Sequence, residues 1–345
     1  MAYRSRRLAR TGRKAIRKPL HVLIAACGIL GVAASTCAAR AQSGKLVLYT
    51  SQPDKDAQET VKGFKKRHPE VEVVIFRSGT TEVMSKLAAE FAGGQPKADV
   101  LLIADAVSME ALKLENRLLQ YKEAKVDGFR EGSIDPERYY FGSKLITTGI
   151  AYNTEAKLKP ESWADLAKPE YKGQISMPSP LYSGAAAIML SAMTERSDLG
   201  WKYFEALQAN QAVPVRGNGA VLKSVATGEK PYGILVDFMA LNAREKGSPI
   251  AFVFPKEGVP AVTEPVAILK TTENAAAAKA FVDFILSDEG QQLAASQGYV
   301  PAKSSIPAPS WLPSATTIDI MSKDLKSILA RTDADKKRFA EMFGG

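Results

Sequence analysis

Between residues 44 and 103 the chain switches repeatedly between two hydrophobic rhythms. Leu46-Val47-Leu48-Tyr49 is an unbroken apolar run, the pattern of a strand buried on both faces. Ser51 and Pro53 then open a helix that places Ala57, Val61 and Phe64 on one face and stops at Pro69. Val71 to Phe76 predicts a second strand. Ser78-Gly79-Thr80-Thr81 caps a helix whose Met84, Leu87, Ala88 and Phe91 form one stripe. Ala98 to Ile103 predicts a third strand. This β-α-β-α-β order implies a mainly parallel sheet with helices on both faces.

The same rhythm recurs further on. Gly142 to Asn153 reads as an extended crossover into a second α/β unit. That unit holds strands at Gln174–Met177 and Tyr232–Val236, a helix after Ser183-Gly184 and a helix from Trp201 to Asn210. Pro255 to Pro260 is a loop, Thr263 to Lys270 a return strand, and Ala275 to Leu286 a helix packed on the first unit. Two crossovers between two α/β lobes make a hinge. The expected division is a leader over 1–41, lobe one over 42–145 and 264–303, lobe two over 146–263, and a tail over 304–345. The tail carries an amphipathic helix near Asp324 to Phe343, expected to wrap one lobe.

Composition changes the picture mainly at the N-terminus. Arg4, Arg6, Arg7, Arg10, Arg13, Lys14, Arg17 and Lys18 precede an apolar run from Leu20 to Ala34, and Ala39-Arg40-Ala41 follows. This is the order of a secretory signal peptide, cleaved after Ala41. The run is too short for a confident membrane span. Ser5-Arg6-Arg7 resembles a twin-arginine start, but the apolar run begins too far downstream. Cys27 and Cys37 are poor lipoprotein sites: the first has almost no apolar region before it, and Thr36 is a poor neighbour for the second.

The leader holds nine basic residues and no acid. Removing it leaves 37 of the 46 basic residues against 37 acids, so the +9 of the whole chain belongs to export and not to nucleic-acid binding. Both cysteines leave with the leader, which excludes thiolate metal sites and cysteine nucleophiles and suits an oxidising compartment.

Several segments carry a family resemblance. Thr263-Glu264-Pro265-Val266-Ala267-Ile268-Leu269-Lys270 and the Ala278 to Gln291 stretch resemble the return strand and closing helix of bacterial extracellular solute-binding proteins, the capture components of ABC importers. Glu161-Ser162-Trp163-Ala164-Asp165-Leu166, Tyr171-Lys172-Gly173, Gly200-Trp201-Lys202-Tyr203-Phe204 and Gly247-Ser248-Pro249-Ile250 follow the same pattern. The chain is most similar to the branch of ferric-ion-binding and organophosphate- or 2-aminoethylphosphonate-binding proteins. The resemblance implies a two-lobe type II periplasmic-binding fold, each lobe a mainly parallel sheet flanked by helices. One small anionic or zwitterionic ligand then sits between the lobes, and the closed, monomeric protein docks on an inner-membrane permease. It implies no cofactor and no nucleic acid.

The resemblance also assigns positions. Ferric-binding members use a His after the first strand, an acid after the third and a Tyr pair in lobe two. Here Pro53, Ala104 and Asp237-Phe238 stand at those places. Tyr139-Tyr140 precedes the crossover, and His68 ends the first helix, so neither restores the set. An anion suits the chain better, because free N–H groups at helix starts attract phosphate or carboxylate. Ser78-Gly79-Thr80 and Ser183-Gly184-Ala185 offer such starts, and relatives hold a phosphate or a metal's companion anion at the latter. Gly184 is expected to let the anion approach the backbone. Asn218-Gly219 opens another helix, with Arg216 beside it as a candidate clamp. Ser51 is a candidate donor. Asp237 is expected to answer a cationic or hydroxyl group on the ligand, with Asp105 a weaker version of the same idea.

The expected function is therefore capture of a phosphonate or organophosphate, 2-aminoethylphosphonate being the leading candidate, by hinge closure. A ferric receptor using a companion anion is the alternative. A phosphoester hydrolase would need a nucleophile–base pair or a metal cluster, which no motif here supplies.

Overall fold

The computed structural model of this protein describes residues 44–312, 318–321 and 324–344; the expected leader lies outside the described residues. Three parallel strands begin lobe one: β1 (Gly44–Thr50), β2 (Val71–Arg77) and β3 (Val100–Leu102). They are separated by α1 (Asp54–Arg67) and α2 (Thr80–Ala92), and α3 (Ala106–Leu114) follows. Asp105 starts α3 by accepting from the Ser108 amide at 3.0 Å.

A single long strand, β4 (Tyr140–Asn153), leads into lobe two. There α4 (Trp163–Leu166) opens with a capping box between Ser162 and Asp165. β5 (Ile175–Pro178), α5 (Gly184–Thr194), α6 (Gly200–Ala209), β6 (Val213–Val215), α7 (Asn218–Thr227), β7 (Tyr232–Val236), α8 (Asp237–Glu245) and β8 (Ile250–Val253) complete that lobe. The chain returns through β9 (Ala261–Ile268) and continues as α9 (Ala275–Leu286), α10 (Asp288–Ser296) and β10 (Val300–Pro301). α11 (Leu325–Phe343) ends it, capped by Asp324.

The strands hydrogen-bond in the order β2-β1-β3-β9-β4-β7-β5-β6, with β8 and β10 both on β4. The outer pairs are parallel, while β9 and β4 run antiparallel to their neighbours in the middle. These two strands are the hinge, as the crossover reading expected. Their register jumps from Gly142↔Pro265 to Leu145↔Thr263. Ser143 and Lys144 therefore oppose the single residue Glu264, a β-bulge that bends the strand and re-aims its side chains.

Separate apolar cores hold the two lobes. Phe64, Phe281 and Phe284 fill the core of lobe one, and Trp163, Phe204 and Tyr232 that of lobe two. Each fully buried large apolar side chain contributes roughly 1.5–3 kcal/mol of transfer free energy. The tail helix does more than the sequence pattern suggested: α11 packs on α5 of lobe two and also on α3 of lobe one. Ile328 of α11 is buried among Val107 of α3 and Ile188 of α5. Among the described residues no helix is long and apolar enough to cross a membrane.

Candidate functional site

A cleft of about 440 Å³ opens between the lobes. The starts of four helices reach it: Gly79 and Thr80 of α2, Ser183 and Ala185 of α5, Gly217 to Ala220 of α7, and Phe238 and Met239 of α8. All four helices have nine residues or more, so each carries a developed dipole. At each start one amide already has an acceptor: Thr81 on the Tyr182 carbonyl, Ala186 on Ser183, Ala220 on the Gly217 carbonyl and Phe238 on Asp237. α2 and α7 have no side-chain cap. Local sequence explains these starts. Gly79 and Gly217 interrupt the apolar pattern two residues after a strand, and Ser183 follows a turn of four residues after β5; each is an extended residue that can lead the chain into a helix.

Most of the expected site residues meet here. Ser51, Ser78, Gly79, Thr80, Ser183, Ala185, Asn218 and Arg216 all line the cleft. Their bonds define what they can do. Ser51 Oγ accepts from the Ala104 amide at 2.9 Å, so its own proton is free to be donated. Ser183 Oγ accepts from the Ala186 amide at 3.3 Å and the Asn218 side-chain amide at 3.4 Å, which likewise turns its proton outward. Asn218 is spent on the frame, since its Oδ1 also accepts from the Val236 amide at 3.3 Å. Ser78 is not a helix cap; its hydroxyl donates to Glu82.

Three expected residues are placed differently. Gly184 is not on the cleft lining. Its open Cα faces lobe one, where a Cβ would lie 2.7 Å from the Ala104 carbonyl and 2.9 Å from both Asp105 Cβ and Thr80 Cγ2. The missing side chain makes room for the opposite lobe, where the sequence suggested room for an anion. Asp105 is also off the lining, because its carboxylate serves the α3 start and bonds the Ser108 hydroxyl at 2.5 Å.

Asp237 is the larger correction. It is 2% exposed and lies behind the cleft wall, because the chain turns into α8 at this residue instead of ending a strand in the open. Thr147 Oγ1 donates to its Oδ2 at 2.7 Å, and the Phe238 amide donates to Oδ1 at 2.7 Å. Burial outweighs these bonds and pushes its pKa up to about 6.

The acid that does line the cleft at the hinge is Glu264, on β9. The bulge turns it and Lys144 together: Glu264 Oε2 lies 2.7 Å from Lys144 Nζ, an ion pair that falls short of a directional hydrogen bond. Both side chains are 2–3% exposed. Desolvation raises the Glu264 carboxyl, and Lys144 opposes that shift. The Tyr299 ring sits 3.8 Å beneath the Lys144 ammonium and packs against Phe238 in a tilted pair with centroids 4.1 Å apart. Tyr299 is anchored by its hydroxyl, which donates to Asp56 at 2.6 Å. Ile146, Val236, Phe238 and Met239 give an apolar wall. Arg77 and Glu82 also line the cleft without having been expected. The sequence signal for Glu264 was a lone carboxylate inside an apolar strand, next to Pro265.

The metal candidates lie elsewhere. Tyr140 donates to Glu110 at 2.8 Å within the core of lobe one, where burial raises its phenol. His68 follows α1 and stacks on Phe64 at 4.8 Å. Among the described residues no three His, Cys, Asp or Glu side chains group so as to hold a metal ion.

The family model of bacterial extracellular solute-binding proteins matches residues 95–320. A Haemophilus influenzae protein of uncharacterised function is 30% identical over 270 residues, 74% of this chain and 76% of that one. An Fe(3+)-binding periplasmic protein of Serratia marcescens is 25% identical over 274 residues, 74% of this chain and 77% of that one. Among solved structures, the periplasmic binding protein AfuA of Actinobacillus pleuropneumoniae, with fructose-6-phosphate bound, superposes with a TM-score of 0.81 at 24% identity. That match covers 87% of this chain and 98% of AfuA. Iron-bound HitA of Pseudomonas aeruginosa follows at a TM-score of 0.76 and 21% identity, covering 86% and 99%. These solved structures share the two-lobe periplasmic-binding fold. The family match over residues 95–320 and the 30% identity to the Haemophilus influenzae protein establish that the chain belongs to the bacterial extracellular solute-binding protein family.

Proposed function

We propose that this solute-binding component of an ABC importer captures a small phosphonate or organophosphate, 2-aminoethylphosphonate being the first candidate, and presents it to an inner-membrane permease. The observation that carries this reading is the convergence of four helix starts on one cleft that also contains a carboxylate. The helix starts, with the Ser51 and Ser183 hydroxyls, supply donors for an oxyanion. Glu264 answers an ammonium or hydroxyl group at the other end, in the role first expected of Asp237. Contacts to both lobes stabilise the closed state, and only such differential contacts shift the opening equilibrium.

The chain works in the periplasm after removal of its leader at Ala41. AfuA, which carries a sugar phosphate, extends the candidate set to phosphosugars. A thermal-shift screen of the purified mature protein against aminophosphonates, alkylphosphonates, phosphosugars, polyamines and ferric citrate tests the reading. A ligand present at 100 times its Kd stabilises the native state by about 2.7 kcal/mol. Stabilisation by phosphonates or phosphosugars is expected; a response to polyamines or ferric citrate alone would refute the ligand class.

A further inference from the structure

Glu82, the third residue of α2, sits at the mouth of the cleft with both carboxylate oxygens engaged. The Ser78 hydroxyl of lobe one donates to Oε2, and the Arg216 guanidinium of lobe two donates to Oε1. The Ser78 bond first, then the charge of Arg216, hold the Glu82 carboxyl below its usual range, with the Gly79 amide contributing. Arg216 is held over the Tyr182 ring at 5.8 Å, on the same rim. Ser78, Gly79 and Arg216 are also three of the groups through which an oxyanion would be bound. A carboxylate of the protein thus occupies donors that suit a ligand's anion, and it joins the two lobes in doing so.

We propose that Glu82 is an internal competitor for the ligand's anionic group. Without ligand it takes Ser78 and Arg216 and holds the lobes together; the incoming anion takes both donors from it. This rests on the anion-binding reading of the cleft. Two negative charges cannot share Arg216 and Ser78 at close range without mutual repulsion, so Glu82 must swing outward as the anion seats. Its partial exposure, 35% of the side chain, gives it solvent to move into. Arg216 is 72% exposed, so the pair is weak and salt-sensitive, as a displaceable contact should be. Glu82 thereby adds to the ligand-free closed population and to the selectivity for anion charge.

Two variants separate competition from a merely structural latch. Glu82→Gln keeps the shape and removes the competing charge; Arg216→Gln removes the shared donor. Ligand-free protein, stripped by unfolding and dialysis and then refolded, is measured by small-angle scattering in low salt and in about 1 M NaCl. Inorganic phosphate binding is read by phosphorus NMR titration. Both variants, and wild type in high salt, are expected to show a larger radius of gyration than wild type in low salt. Phosphate should bind Glu82→Gln about fivefold tighter than wild type and Arg216→Gln about tenfold weaker. The opposite signs are the signature of competition. Unchanged scattering in both variants, or phosphate binding to Glu82→Gln no tighter than to wild type, overturns the proposal. The scattering arm contains no ligand, so it fails separately from the ligand class.

Discussion

Gly184 and Ala104 belong to different lobes, yet a Cβ on Gly184 would lie 2.7 Å from the Ala104 carbonyl oxygen. The start of α5 thus presses its bare backbone on the end of the β3 segment. Gly79 repeats the arrangement from the other side, where a Cβ would come within 3.0 Å of the Tyr182 carbonyl. Glycine is used at both places for close approach of two backbones.

The first prediction concerns that contact. Gly184→Ala should hinder closure and leave the fold of each lobe intact. Affinity should fall by about tenfold or more for every ligand, whatever its charge, since the closed state is what the ligand selects. Scattering of the ligand-saturated variant should show an incompletely closed molecule. A loss confined to anionic ligands would restore the view that Gly184 makes room for the anion itself.

A second prediction follows from Asp237. Its pKa is raised to about 6 from an ordinary 3.8, so the native state holds a proton that the unfolded chain releases. Stability therefore falls as pH rises between about 4 and 6, and above that window the charged carboxylate costs on the order of 2–3 kcal/mol. Asp237→Asn removes the titration. Its melting temperature should rise at pH 7 and depend less on pH across that window, while ligand affinity stays within about twofold. A variant that loses affinity for an ammonium-bearing ligand alone would return Asp237 to the site.

The hinge ion pair makes a third. Glu264→Gln leaves the Lys144 ammonium buried beside a neutral amide, and breaking a buried pair costs about 3–5 kcal/mol. Adding Lys144→Met should recover most of that loss, because the pair as a whole contributes little beyond an apolar replacement. Denaturant titrations of wild type and the two variants read this directly. Equal stability of Glu264→Gln and wild type would mean that the pair is already open to water.

A fourth concerns the leader. Protein exported by its native route should have an intact mass that begins at Gln42. A retained leader, or a lipid on Cys27 or Cys37, would contradict the reading of residues 1–41.

How much of this was legible follows from what each residue depends on. β7 (Tyr232–Val236) and α9 (Ala275–Leu286) coincide with the sequence expectation, because apolar runs and periodic stripes are local signals. α8 was missed because Asp237 read as the polar end of a strand, although an acid also suits the first turn of a helix. The helix starts that line the cleft were visible in Ser, Gly and Asn at strand ends. Glu264 was not proposed, because its place in the cleft depends on a bulge between strands more than a hundred residues apart in the chain, and Tyr299 was not, because only its contacts with Phe238, Lys144 and Asp56 bring it there. Gly184 was found for the wrong reason, since nothing local announces the lobe that packs against it.

The central claim is that one cleft reads an anion with helix starts and a cationic or hydroxyl end with Glu264. Calorimetry of 2-aminoethylphosphonate and of ethylphosphonate, on wild type and on the Lys144→Met/Glu264→Gln double variant, tests it most directly. Wild type should prefer the aminophosphonate, and the double variant should lose about 10- to 150-fold for that ligand alone, the range expected for one charge-assisted contact. Equal affinity of wild type for both phosphonates, or equal losses for both in the variant, would contradict the claim.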